Sequence, residues 1–153
     1  MLKLKEGDPA PGFTALDQYG KEVSLKDFSG KKLILYFYPK DNTPGCNAEA
    51  CNLRDHHPHL MKEGFDVIGV SADSESAHIK FTEKFALPFR LIPDTDKKII
   101  KAYGVWGPKK FMGRAYDGIH RTTFVIDEKG TIKKIFTKVK TKEHSEQILE
   151  AMK

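Results

Sequence analysis

The sequence predicts an α/β fold, a central mixed β-sheet flanked by helices with a β-hairpin ahead of it. Two apolar runs, Leu33-Ile34-Leu35-Tyr36-Phe37-Tyr38 and Phe65-Asp66-Val67-Ile68-Gly69-Val70-Ser71, are near-continuous, as strands buried on both faces require. Each leads into a segment of helical character, the order that makes neighbouring strands parallel. Near the end, two short β-branched runs and a closing helical segment add an antiparallel hairpin and a last helix.

The start, Gly7-Asp8-Pro9-Ala10-Pro11-Gly12, is turn-rich and is expected to run extended along the surface. Residues 13–16 and 22–25 flank Asp17-Gln18-Tyr19-Gly20, a hairpin pattern. After the strand at 33–38, a helix is expected from Pro44, since proline is tolerated in a first turn, with Thr43 as its N-cap. Pro58 cannot continue a helix, so a break is expected near His57 and a short second segment over 58–63. The strand at 65–71 is followed by an amphipathic helix over 74–85, with Ile79, Phe81 and Phe85 among its apolar positions.

Residues 89–92 read as a short strand and 96–103 as a helix stopping before Gly104. Residues 104–120, rich in glycine, aromatic residues and lysine, read as a long irregular stretch; loops of such length are often functional. Residues 122–126 and 131–136 pair around Asp127-Glu128-Lys129-Gly130, and a final helix runs over about 142–152.

At 153 residues the chain fits one domain, 1–153, with enough length for a full core. Its 39% hydrophobic and 31% charged residues are ordinary for a globular protein. The opening Met1-Leu2-Lys3-Leu4-Lys5-Glu6 lacks the apolar stretch of a signal peptide, and no run reaches membrane-spanning length. The expectation is a cytoplasmic protein without membrane attachment. Net charge is +5, but the excess lysines are spread over several elements with acids among them. That pattern reads as a solvated surface rather than a nucleic-acid face.

The two cysteines, Cys46 and Cys51, stand five residues apart, just past the first buried strand. Two are too few for a disulfide-stapled scaffold, which points to redox chemistry or ligation. The thiolate is the nucleophile, and it is favoured where free N–H groups and the dipole of a helix N-terminus face it. Cys46 falls in that first turn, with Gly45 letting backbone come close. An oxidant there gives a sulfenic acid that a second thiol can capture as a disulfide, and Cys51 is the one candidate in the chain. On an intact helix, positions i and i+5 lie about 7.5 Å apart along the axis and point in different directions. A disulfide needs Cα atoms within about 7 Å, so a Cys46–Cys51 bridge requires the helix to unwind. The alternatives are two small buried hydrophobes, or a metal site with His56, His57 and His59, for which the spacing is a poor zinc pattern. Thioredoxin-type disulfide exchange is disfavoured because Cys-x-x-Cys is absent. A non-catalytic redox sensor also fits a lone reactive thiol.

The string Tyr36-Phe37-Tyr38-Pro39-Lys40-Asp41-Asn42-Thr43-Pro44-Gly45-Cys46 resembles the peroxiredoxins, whose pattern is Pro, three residues, Thr, two residues, Cys. With a second Cys five positions on, it looks like the bacterioferritin-comigratory-protein (PrxQ) branch. Leu87-Pro88-Phe89, Tyr103-Gly104-Val105-Trp106-Gly107 and Gly118-Ile119-His120-Arg121-Thr122-Thr123-Phe124 fit later segments of that branch. The resemblance implies a thioredoxin-like fold and thiol-dependent reduction of hydrogen peroxide and organic hydroperoxides without a cofactor or metal. It implies that Cys46 is the peroxidatic nucleophile and Cys51 the resolving thiol. Arg121 would stabilise the thiolate and polarise the peroxide. Thr43 and the Cys46 N–H would complete the donors, and Pro39 would shield the sulfur. Glu49 matches an acidic residue near the site, although a first-turn charge favoured by the helix dipole explains it as well. Asn47 departs from the Thr or Ser usual after the nucleophile, with little consequence expected. Trp106 and Phe111 are candidates to line the entrance, against ordinary packing. The implied partners are a peroxide and thioredoxin or a glutaredoxin-like reductant, and the implied state is a monomer.

Overall fold

Along residues 32–37 every second side chain serves a different core, and that alternation sets the architecture. A computed structural model of the chain describes residues 2–153, apart from the side chain of Phe111. The strand β3, Lys32–Phe37, sends Leu33, Leu35 and Phe37 to one side of the sheet and Ile34 and Tyr36 to the other, all buried. Parallel to β3 lies β4, Phe65–Ser71, and parallel to β4 lies β5, Arg90–Pro93. On the other flank β8, Thr122–Ile126, runs antiparallel to β3 and pairs with β9, Ile132–Phe136. The sheet order is β5-β4-β3-β8-β9, mixed as expected.

One face is packed by α1, Pro44–Asp55, α2, His57–Lys62, α3, Glu75–Phe85, and α5, His144–Ala151, through Ala50, Leu53, Leu60, Phe81 and Ile148. The opposite face is covered by α4, Lys98–Ala102, through Ile99 and Ile100. The hairpin of β1, Thr14–Leu16, and β2, Glu22–Ser24, lies on that side too, with Val23 fully buried. The break between α1 and α2 falls at His56, with Pro58 in the first turn of α2, where its missing N–H costs nothing. Among the described residues no helix is long and apolar enough to cross a membrane.

The expected irregular stretch at 104–120 is corrected. It is a second hairpin, β6, Trp106–Phe111, against β7, Arg114–Ile119, paired from Trp106–Ile119 to Phe111–Arg114. Met112 and Gly113 close it with φ of 51° and 77°, the two-residue turn whose twist suits a hairpin. The hairpin was hidden because most of β7 is exposed and carries no alternating apolar face.

Candidate active site

Cys46 is the third residue of α1, and its N-terminal location follows from Pro44 at the first position. The first bond of the helix runs from the Asn47 N–H to the Thr43 carbonyl at 2.8 Å. The N–H groups of Gly45 and Cys46 therefore have no intrahelical acceptor and face out of the helix end. The Thr43 hydroxyl does not cap the helix as expected. It donates to the Lys40 carbonyl at 2.9 Å, so its lone pairs are what it can present to a ligand. Pro39 is half-buried where β3 runs into this loop.

The loop is fixed from the side by a buried network. Tyr38 Oη donates to Asp41 Oδ1 at 2.6 Å, His78 Nδ1 lies 2.7 Å from Asp41 Oδ2, and the Asp41 N–H donates to Asp73 Oδ2 at 2.8 Å. Asp41, Asp73 and His78 are the only His/Cys/Asp/Glu group, among the described residues, close enough to share a cation. The histidines after the cysteines face elsewhere: His56 Nδ1 lies 3.0 Å from the Asn52 carbonyl, and His57 packs on the Phe89 ring.

Arg121, just before β8, reaches across the N-terminus of α1. Its Nη2 donates to Cys46 Sγ at 3.3 Å and its Nη1 to Glu49 Oε1 at 2.7 Å. The close approach explains Gly45, because a Cβ there would stand 3.1 Å from Arg121 Nη2. Cys46 is 1% exposed and Glu49 fully buried. The reading of Glu49 as a first-turn charge favoured by the helix dipole is thus corrected: it lies one turn deeper, buried and paired with Arg121.

Burial raises the Glu49 carboxyl to about 7 despite the adjacent Arg121. Desolvation, then Glu49 and Cys46, push Tyr36 well above its usual range, which keeps its hydroxyl neutral. Burial and then Arg121 lower Lys109, whose Nζ donates to the Ile119 carbonyl at 2.8 Å. Among the described residues the buried polar side-chain atoms without a partner are Tyr36 Oη, Asn47 Oδ1 and Glu49 Oε2. Two of these belong to the groups whose charges act on one another with Arg121, and the third follows Cys46 directly.

His144, at the start of α5, is fully buried, 3.6 Å from Glu49 Oε2, and burial lowers it to about 4. Sequence reasoning missed it. It is one of six histidines and sits 98 positions from Cys46 (144 less 46), with no spacing to tie it to the site. Trp106 packs on the opposite core and lies under Lys97 Nζ at 5.1 Å, which supports ordinary packing; the Phe111 side chain is outside the described residues.

Cys51 is half-buried in the same uninterrupted helix, and neither cysteine is in a disulfide. The next residue anchors α1. Asn52 Nδ2 donates to the Lys142 carbonyl at 2.9 Å and to Glu146 Oε1 at 3.0 Å, while its Oδ1 accepts from the Ser145 N–H at 2.7 Å.

The titrations of Glu49 and His144 oppose each other. Glu49 ionises near 4.5 in the unfolded chain and near 7 in the fold, so it removes stability as pH rises across that window, on the order of 3 kcal/mol. His144 protonates below 6.5 when unfolded but only near 4 when folded, so its contribution is lost as pH falls through that range. Glu49→Gln removes the first effect. Relative to the parent, the variant is expected to gain about 3 kcal/mol in denaturant unfolding between about pH 4.5 and pH 7.5. A difference constant with pH contradicts the buried-acid account.

A sheet that presents a buried thiol at a helix N-terminus under a guanidinium defines a class, the thiol-based redox enzymes of thioredoxin-like fold. The AhpC/TSA family pattern matches residues 6–135. The chain is 48% identical over 153 residues to a putative peroxiredoxin Bcp of Haemophilus influenzae, covering all of this chain and 99% of the relative. It is 46% identical over 153 residues to peroxiredoxin Bcp of Escherichia coli, covering 98% of that protein. The structure superposes with a TM-score of 0.87 on the Xanthomonas campestris bacterioferritin comigratory protein, solved in work on its alkyl peroxide reduction. There the identity is 31%, over 99% of this chain and 94% of that one. The chain belongs to the AhpC/TSA family, among the Bcp peroxiredoxins, and is a thiol peroxidase.

Proposed function

We propose that this enzyme reduces hydrogen peroxide and organic hydroperoxides through Cys46, with Cys51 as its resolving thiol and thioredoxin or a glutaredoxin-like dithiol protein as reductant. The observation that carries the reading is Arg121 bridging Cys46 Sγ and Glu49 over the open end of α1. The guanidinium and the free N–H groups favour the thiolate. The thiolate attacks one peroxide oxygen, the O–O bond breaks, and the departing oxygen leaves with the electron pair and takes up a proton. Arg121 and the Cys46 N–H oppose the charge that grows on the oxygens. The Thr43 hydroxyl oxygen accepts a hydrogen bond from the peroxide O–H, and Pro39 shields the sulfur from water. The alkyl peroxide work on the Xanthomonas protein supports the organic substrates.

The sulfenic acid condenses with the Cys51 thiol, releasing water, to give a Cys46–Cys51 disulfide. Both residues lie in α1, so that step unwinds the helix between them, and the Asn52 anchor to the C-terminal segment bounds the unwinding on the far side. A resolving thiol within the chain needs no second subunit. Residues 1–153 work as one domain and as a monomer in the cytoplasm.

One equivalent of peroxide is expected to yield a single intramolecular disulfide, found by peptide mapping as Cys46 linked to Cys51. Amide exchange protection across residues 44–55 is expected to fall on oxidation. Cys51→Ser should leave the first turnover intact and block cycling driven by a dithiol protein. Unchanged protection in the oxidised protein overturns the unwinding.

A further inference from the structure

Arg121 faces two acids in a dry pocket, and what lies behind the second acid decides how its charge is shared. Glu49 Oε1 is bound to Arg121, while Glu49 Oε2 has no hydrogen-bond partner among the described residues and faces His144 Nε2 at 3.6 Å. The tautomer of His144 follows from Gln147. Gln147 Nε2 donates to the Lys138 carbonyl at 2.9 Å and its Oε1 accepts from the Lys140 N–H at 3.1 Å, which fixes the amide orientation. Gln147 Oε1 also lies 2.9 Å from His144 Nδ1, so Nδ1 carries the proton. A neutral ring has one N–H, which leaves Nε2 as a lone pair, and Thr123 Oγ1 donates to it at 2.8 Å.

We propose that His144 is a positioning residue of the peroxide site: its Nε2 lone pair denies Glu49 Oε2 a donor, so that Glu49 holds a proton and leaves Arg121 to the Cys46 thiolate. An ionised Glu49 would set a bare oxygen against a lone pair at a site closed to bulk solvent. A proton on Oε2 turns the same contact into O–H facing N. One guanidinium cannot neutralise two anions in such a pocket, so a proton kept on Glu49 frees the cation for sulfur. The charged and titratable groups around Glu49 are Cys46 on its own helix, Arg121 before β8, Tyr36 of β3 and His144 of α5, with Lys109 of β6 and Asp41 beyond them. The raised Glu49 carboxyl agrees with this arrangement.

This inference rests on the peroxidase reading of Cys46, and its test is separable from it. The carbonyl stretch of protonated Glu49, assigned by its absence in Glu49→Gln, is followed by infrared difference titration of the reduced protein. The parent midpoint is expected near 7. His144→Gln puts an N–H donor where the lone pair stood and should lower the midpoint by about one unit. Thr123→Val removes the competing donor, frees the lone pair for the Glu49 proton, and should raise it. Stopped-flow rates with hydrogen peroxide should move along the pH axis with each midpoint. Shifts of the same sign, or none, make His144 only an anchor of the last helix and overturn the proposal. If His144→Gln fails to fold, an unchanged midpoint in Thr123→Val overturns it alone. A parent protein that consumes peroxide without Cys46 sinks the peroxidase reading, while the infrared shifts still decide this one.

Discussion

Cys46→Ser is expected to cut peroxide consumption by on the order of 10⁴-fold or more, down to the level of an unassisted thiol. Two physical reasons make the loss nearly complete. A serine hydroxyl stays protonated even under Arg121, because a guanidinium that favours a thiolate cannot ionise an alcohol. Attack by oxygen would also form another O–O bond, with none of the driving force of trading O–O for S–O. Cys51 remains in the variant, but it is half-buried in mid-helix, beyond the free N–H groups of the first turn and not in contact with Arg121. It should react with peroxide no faster than free cysteine. The measurement is stopped-flow peroxide decay with parent, Cys46→Ser and Cys51→Ser proteins. Parent-like decay in Cys46→Ser removes Cys46 from the chemistry altogether.

The parts of this molecule that depend on local pattern were open to sequence reading. The buried strands β3 and β4 announce themselves as apolar runs, and the break at His56 follows from a ring with no N–H. Cys46 and Cys51 stand out by number and by position after a Thr-Pro-Gly turn. The parts that depend on long-range meeting were not open. Arg121 stands among thirteen other Lys and Arg residues between 90 and 142, and only the family resemblance singled it out. Glu49 is spelled like any helix charge, and its burial is decided by Arg121 from 72 positions away. His144 and Gln147 enter from the last helix, and Asp41 meets His78 across 37 positions. The β6–β7 hairpin escaped for the opposite reason. It is local, but its turn rests on the backbone angles of Met112 and Gly113 rather than on an apolar alternation.

The Asn52 anchor and the Arg121 bridge hold α1 at its two functional ends. Asn52 ties the turn after Cys51 to the Lys142 carbonyl and the Ser145 N–H, and Arg121 ties the first turn to β8. In the proposed mechanism, attack on peroxide turns the Cys46 sulfur neutral and so weakens the Arg121 tie, while the Asn52 tie is untouched. The helix is thereby disposed to open from its N-terminal end, the end that the proposed Cys46–Cys51 disulfide requires to move.

Arg121→Met is expected to lower the second-order rate with peroxide by about 10²–10³-fold, the usual effect of losing one preorganised charged donor at a reacting centre. It should also destabilise the fold above about pH 7, where Glu49 ionises in the parent, because the fully buried carboxylate then has no cation beside it. The two effects separate. At lower pH Glu49 holds its proton in parent and variant alike, so the stability loss shrinks while the rate loss persists. The double variant Arg121→Met/Glu49→Gln should recover much of the stability and none of the rate, since an amide replaces the stranded charge but nothing replaces the donor to sulfur. Arg121→Lys keeps the charge but has a single nitrogen for two acceptors on different residues, and should fall between parent and Arg121→Met. If the double variant regained both rate and stability, Arg121 would matter only as the partner of Glu49. The helix N-terminus, with two free N–H groups, and the more distant Lys109 ammonium would then have to hold the thiolate.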